Sequence, residues 1–141
     1  MSEAREAVLE FIAEVCERAR PVADDVDLFD AFGIDGDEAS DFTDAFFARF
    51  EVDATDYRWY FHHGEEGSNP GALFYRPLYR RFGHIPITVA TLTEAVRTRR
   101  WPIVYPEHSV PRRRWDMVIN QVLTVVVLIG LAVLGWMKFA G

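Results

Sequence analysis

Cysteine is almost missing from this 141-residue sequence: Cys16 stands alone. One cysteine excludes an internal disulfide and suits a reducing compartment. In its amphipathic setting it is expected to be a small packing residue and not a reactive thiol. A secretory leader is also missing from residues 1–20, which interleave Glu and Arg with apolar residues and hold no continuous apolar run. Acid is scarce in the second half. Residues 1–69 carry 19 acids and 5 bases, whereas residues 70–141 carry 3 acids and 10 bases, so the net charge of −7 hides balances of −14 and +7. The acidic half disfavours nucleic acid as a partner, and the basic half suits a membrane surface or an anionic partner.

Signatures of catalysis are lacking too. No nucleophile elbow, phosphate-binding loop or dinucleotide fingerprint occurs. His62 and His63 are adjacent, so they point in different directions on a helix or a strand, and together with His84, His108 and Cys16 they lack zinc-site spacing. Asp24, Asp25, Asp27 and Asp30 share only acidity with a calcium loop, whose spacing and sixth-position glycine are absent. No catalytic residue, metal site or cofactor is therefore expected.

What is present, above all, is one apolar run. Met117 to Met137 holds 21 residues without a charge, twelve of them Val, Ile or Leu. At ~1.5 Å per residue it would span about 31 Å, the width of a bilayer's hydrocarbon core. Trp115 and Trp136 flank it as an aromatic belt. Arg112, Arg113 and Arg114 precede it, with Arg97, Arg99 and Arg100 further back, and only Lys138 follows. This bias predicts a single transmembrane helix over 115–138 with the preceding domain in the cytoplasm. A buried core helix, the other reading, needs a larger surrounding domain than the remaining ~100 residues supply. Asn120 and Gln121 are expected to meet water or headgroups near one end of the span; a hydrogen bond to a second transmembrane helix is the alternative. Gly130 and Gly135 are five apart, so there is no GxxxG face. The three arginines are expected to set topology, with binding of membrane lipid headgroups as a second role.

The first hundred residues predict helices. Ala4, Val8, Phe11, Ile12, Val15 and Ala19 recur at helical spacing over 2–20, until Pro21. An acidic loop is expected from Asp24 to Asp30, tucking Val26, Leu28 and Phe29 inward. Asp35 and Glu38 form a capping-box pattern for a second helix, with Gly33 and Gly36 freeing the turn around it. Its Ala39, Phe42, Phe46 and Phe50 make a stripe that Phe47 broadens, and these are expected to be core. A short helix capped by Thr55 is expected through Tyr57, Tyr60 and Phe61. Residues 64–71 read as a loop, and 73–82 as two short extended pieces around a turn, because Pro77 and Pro86 exclude a long helix. Thr88 caps a last helix, stapled by Ile87 and Leu92, carrying Ala95 and Val96 inward, and stopped before Pro102. The domains so divided are 1–101, a Pro- and Arg-rich connector over 102–114, and the span.

The run Asp30-Ala-Phe-Gly-Ile-Asp-Gly-Asp-Glu-Ala39 resembles the loop and helix start of acyl carrier proteins, and Ile87-Thr88-Val89 with Leu92 resembles the start of their last helix. A bacterial domain-of-unknown-function family with an acyl-carrier-like fold is more similar still. The likeness lies in Gly33 to Asp37, Phe50 to Asp53, Tyr60-Phe61, Ile87 to Val89 and Arg100-Trp101, across roughly residues 5–101. The resemblance implies an all-α acyl-carrier-like bundle. Working carriers hold phosphopantetheine on the serine of an Asp-Ser-Leu motif; here the matching stretch is Asp35-Gly36-Asp37, and Gly36 has no hydroxyl. Ser40 is the nearest serine, about one helical turn too late.

The expected function is a tail-anchored, non-catalytic interaction module on the cytoplasmic face of a bacterial inner membrane. The carriers it resembles present their second helix to partners, which implies docking of an unidentified basic protein on Asp37, Glu38, Asp41 and Asp44. A solvated helix face is the other reading of those acids. A genuine carrier modified on Ser40 is the alternative function.

Overall fold

The computed structural model describes residues 2–17 and 20–141. Its helices are α1 (Glu3–Val15), α2 (Leu28–Phe32), α3 (Gly36–Phe50), α4 (Val89–Thr98) and α5 (Trp115–Ala140). Among the described residues there is no strand, only a parallel bridge between Asp53 and Arg100. The fold is all-α.

Helix α1 starts at Ser2, whose Oγ accepts from the Arg5 amide at 3.3 Å, with Glu3 and Glu6 in the first turn where the helix dipole favours them. It ends at Val15, short of the expected residue 20. Cys16 leaves the helix in extended backbone as its C-cap, its side chain buried, while Val15 is 42% exposed. Ala19 lies outside the described residues. Burial pushes the Cys16 thiol up, away from reactivity.

The expected acidic loop contains a helix instead. Asp27 caps α2 by accepting from the Phe29 amide at 3.2 Å, and Gly33 closes it. Leu28 and Phe29 are buried as expected, while Val26 stays exposed. The Leu28 amide donates to Ile87 O at 2.8 Å and the Ala90 amide to Asp24 O at 3.0 Å, which ties this corner to the start of α4.

The core lies between α1, α3 and α4. Phe11 sits at its centre, edge-on to Phe42, Phe46 and Phe50 at 5.3–5.7 Å between ring centroids. Ala39, Phe42 and Phe46 are buried as the stripe predicts, with Phe47 and Phe50 packed partly against them. Thr88 caps α4 through the Thr91 amide at 3.1 Å, and Ile87 and Leu92 are both buried. Helices α3 and α4 end in left-handed residues, Glu51 and Arg99, beside the Asp53–Arg100 bridge.

Between α3 and α4 the expectations need correcting. No helix starts at Thr55: Asp53 Oδ1 accepts from its amide at 2.9 Å, forming a turn, and only a 3-10 turn forms over Trp59–Phe61. Residues 73–82 hold no extended pieces. Pro70–Leu73 and Leu78–Arg80 are 3-10 turns, each started by a proline that needs no amide partner.

Helix α5 has 26 residues, about 39 Å at ~1.5 Å per residue. It is long and apolar enough to cross a membrane, and its apolar stretch is wholly unburied. Its hydrogen bonds to the head come from its first turns, through Asp116 and Asn120.

Candidate functional site

Asp37, Glu38, Asp41 and Asp44 all lie exposed on α3. Among the described residues none of the four enters an ion pair, although Glu14, Asp24, Asp27, Glu51, Glu65, Glu94 and Asp116 all do. Helix α3 therefore keeps an uncompensated negative row of Asp37, Asp41 and Asp44 on the side away from the phenylalanines, with Glu38 at its shoulder, one turn before Phe42 and near Cys16.

At the head of this helix the expected capping box is not formed. Asp35 occupies the cap position without a capping bond; its Oδ1 accepts instead from the Gly64 amide at 2.6 Å, pinning the loop after the Trp59–Phe61 turn against α3. Gly36 follows with φ +53°, a conformation that strains any residue with a side chain. A Cβ there would lie 2.0 Å from Glu66 Cγ. The position that the carrier resemblance would pair with the serine thus lacks a hydroxyl, has backbone unsuited to a side chain, and is buried under Glu66. These residues do not fit a phosphopantetheine attachment. Ser40, one turn on, lines a cavity of about 330 Å³ between the start of α3 and the foot of α5, together with Gly36, His63, Tyr79 and Asn120. His63 Nδ1 donates to Gly64 O at 2.7 Å, which leaves its buried Nε2 as an acceptor without a partner.

The two adjacent histidines do diverge. His62 is buried, its ring stacked on Tyr57 at 5.3 Å. Its Nδ1 donates to Ile85 O at 2.7 Å, because a carbonyl can only accept, and its Nε2 accepts from the Tyr105 hydroxyl at 2.7 Å. That hydroxyl oxygen accepts in turn from Trp101 Nε1 at 2.8 Å and the Arg58 amide at 3.1 Å. His62, Tyr105 and Trp101 thus satisfy one another, while the buried Tyr57 hydroxyl beside them has no hydrogen-bond partner. Burial lowers the His62 pKa to about 4, so the ring is neutral at ordinary pH. A second histidine works the same way: His108 Nδ1 donates to Pro106 O and its Nε2 accepts from the Tyr60 hydroxyl, each at 2.8 Å. The expected connector is thus fastened to the head at Tyr105 and His108.

The foot of α5 carries the densest polar contacts. Arg114 donates to both carboxylate oxygens of Glu65 at 2.8–2.9 Å and to both of Asp116 at 2.6–3.0 Å. Hydrogen bonds to Asp116 and Glu65 hold its guanidinium well above the usual range, so it stays charged. Asp116, only 1% exposed, also accepts from Asn69 Nδ2 at 3.0 Å. Asn120 accepts from the Gly71 amide at 2.7 Å and donates to Asn69 Oδ1 at 2.8 Å. Its expected place among water or headgroups is therefore corrected: the side chain grips the head. Gly71 is required at this contact, since a Cβ would lie 2.1 Å from Asp116 O. Of the expected interface residues, Arg114 is taken up by this clamp, Arg112 and Arg113 are exposed, and Arg113 lies 5.2 Å over the Trp115 ring. Trp136 and Lys138 stand exposed near the far end of α5. Sequence reasoning missed Glu65, Asn69, Gly71 and Asp116. Asp116 was the one available signal, because a carboxylate at the mouth of an apolar helix needs a partner.

A small helical head gripping an unburied apolar helix is the class of protein these features define. Residues 4–105 match the family described as Protein of unknown function (DUF1493), and the chain belongs to that family. Neither the curated proteins nor the solved structures gave a match to the chain.

Proposed function

We propose that the protein is a non-catalytic, acyl-carrier-like interaction module, held at the cytoplasmic face of a bacterial inner membrane by α5 and docking a basic protein partner through α3. The exposed, unpaired row Asp37, Glu38, Asp41 and Asp44 carries this reading. A row already neutralised by the chain's own arginines would have little left to offer a partner. The misfit at Gly36 supports recognition without a carried group. The span is supported by the length and exposure of α5, by Trp115 and Trp136 near its ends, and by the arginine excess on the side of the head.

The test is co-purification from detergent-solubilised membranes of the parent chain and a variant with Lys at all four positions, the fold of each checked by circular dichroism. The expected outcome is that a partner retained by the parent is lost with the variant. Equal recovery from both would remove α3 as the docking face. Membrane attachment is read separately: the chain should resist an alkaline wash of vesicles.

A further inference from the structure

Leu73 and Phe74 are 86% and 73% exposed, an adjacent apolar pair at the end of the 3-10 turn that grips α5. In water such a pair is a liability without a covering surface. The same turn is fixed beside the apolar helix. Gly71 touches the backbone of Asp116 and donates to Asn120, and from there an open groove lined by Ser68, Pro70, Asn120, Leu123, Thr124, Val127 and Leu128 runs about two turns further along α5.

Depth follows from length. Helix α5 is about 39 Å long and a hydrocarbon core about 30 Å. With Lys138 at the far boundary, twenty residues of core place the near boundary at about residue 118, level with Gly71. The groove reaching Leu128 then lies on the membrane side of that level. Charge agrees with this placement. Residues 70–86 contain Arg76, Arg80 and Arg81 and no acid, with exposed Arg112 and Arg113 close to the start of α5. Arg81 lies 4.4 Å over the Tyr75 ring, a cationic and aromatic pairing suited to the headgroup layer.

We propose that this turn is a second membrane contact: Leu73 and Phe74 enter the interfacial layer of the same bilayer that α5 spans, and the arginines behind them meet anionic phospholipid headgroups. The head then rests on the lipid in one orientation and does not swing on a tether. This deepens the membrane reading of α5 and rests on it.

The experiment uses the full chain with Cys16→Ala, reconstituted in vesicles of phosphatidylcholine and phosphatidylglycerol at three to one. A fluorophore is attached to a single cysteine at Leu73, Phe74, Glu10 or Leu128, and quenching by brominated acyl chains is compared with quenching by aqueous iodide. Labels at Leu73 and Phe74 should be quenched by brominated lipid several-fold more than the label at Glu10, and less than the label at Leu128. If they behave like Glu10 while Leu128 remains lipid-quenched, the span stands and the second contact is overturned, leaving water or a partner protein as what covers the pair. Absence of lipid quenching at Leu128 would overturn the span and this proposal together.

Discussion

The head is held together in two different ways on its two sides. Between α1, α3 and α4 the packing is almost entirely apolar, with Phe11 edge-on to three other rings and no polar atom required. From Asp53 to Ile85, and again from Trp101 to Asn120, regular helix is scarce and buried polar groups take over: His62 with Tyr105, Trp101 and Arg58, Tyr60 with His108, Asp116 with Arg114, Asn69 and Asn120. Apolar packing tolerates small adjustments, while a buried polar cluster fails when one member goes. The first side should therefore set overall stability, and the second should set how rigidly the apolar helix is joined to the head.

The strongest way to break this comparison is Phe11→Ala. Phe11 is 1% exposed and its removal leaves a cavity facing three rings. The expected loss is about 3–5 kcal/mol, measured by urea unfolding of the full chain in detergent micelles. Val104→Ala, at a side chain 92% exposed, serves as the control and should change stability by less than about 0.5 kcal/mol. A loss below about 1 kcal/mol for Phe11→Ala would mean that the core is not centred where the rings meet.

The same division explains what the sequence disclosed. Helices α1, α3 and α4 were legible because their apolar residues recur at helical spacing and Thr88 and Pro102 mark the start and stop of the last. The family resemblance rested on short runs from both sides, Gly33 to Asp37 and Ile87 to Val89 on the apolar one and Tyr60-Phe61 and Trp101 on the polar one. The matched family extends over residues 4–105. Helix α2 was missed because five residues are too few to show a period, although Asp27 and Gly33 bracket it. The segments holding the 3-10 turns read as short helix, loop and extended chain because Tyr57, Tyr60, Phe61 and Phe82 pack ring against ring and not by any spacing. Of the candidate site, the acidic row could be read directly as charge on one helix. The clamp could not, since Glu65 and Arg114 are 49 residues apart and nothing local announces their pairing.

On the polar side, the pH dependence of stability sharpens the comparison. The folded protein lowers the His62 pKa from 6.5 to about 4 by burying the ring. The fold thus favours the neutral form, and the unfolded chain takes up the proton first as pH falls. The contribution is complete above pH 6.5 and is lost progressively down to pH 4. Between pH 7.5 and pH 5 this amounts to roughly 2 kcal/mol. His62→Gln should be less stable than the parent at pH 7.5 and lose about that much less on acidification. Parallel curves for the two proteins would show that another group carries the acid sensitivity.

The smallest effect concerns the joint itself. Asn120→Leu removes the acceptor of the Gly71 amide and the donor to Asn69, while leaving Arg114, Asp116 and Asn69 in place. A buried amide left without its acceptor costs about 1–3 kcal/mol locally. Because the joint lies outside the phenylalanine core, that cost should show as local opening and not as global unfolding. Hydrogen exchange at the Gly71 amide, followed in the full chain in lipid nanodiscs, should quicken about tenfold or more, since 1.4 kcal/mol corresponds to a factor of ten. Amides of α3 should exchange as before. If the α3 amides quicken equally, joint and core open as one unit and the contrast between the two sides dissolves. If Gly71 exchanges at its intrinsic rate already in the parent, the clamp is open in the membrane and α5 is a loose tether.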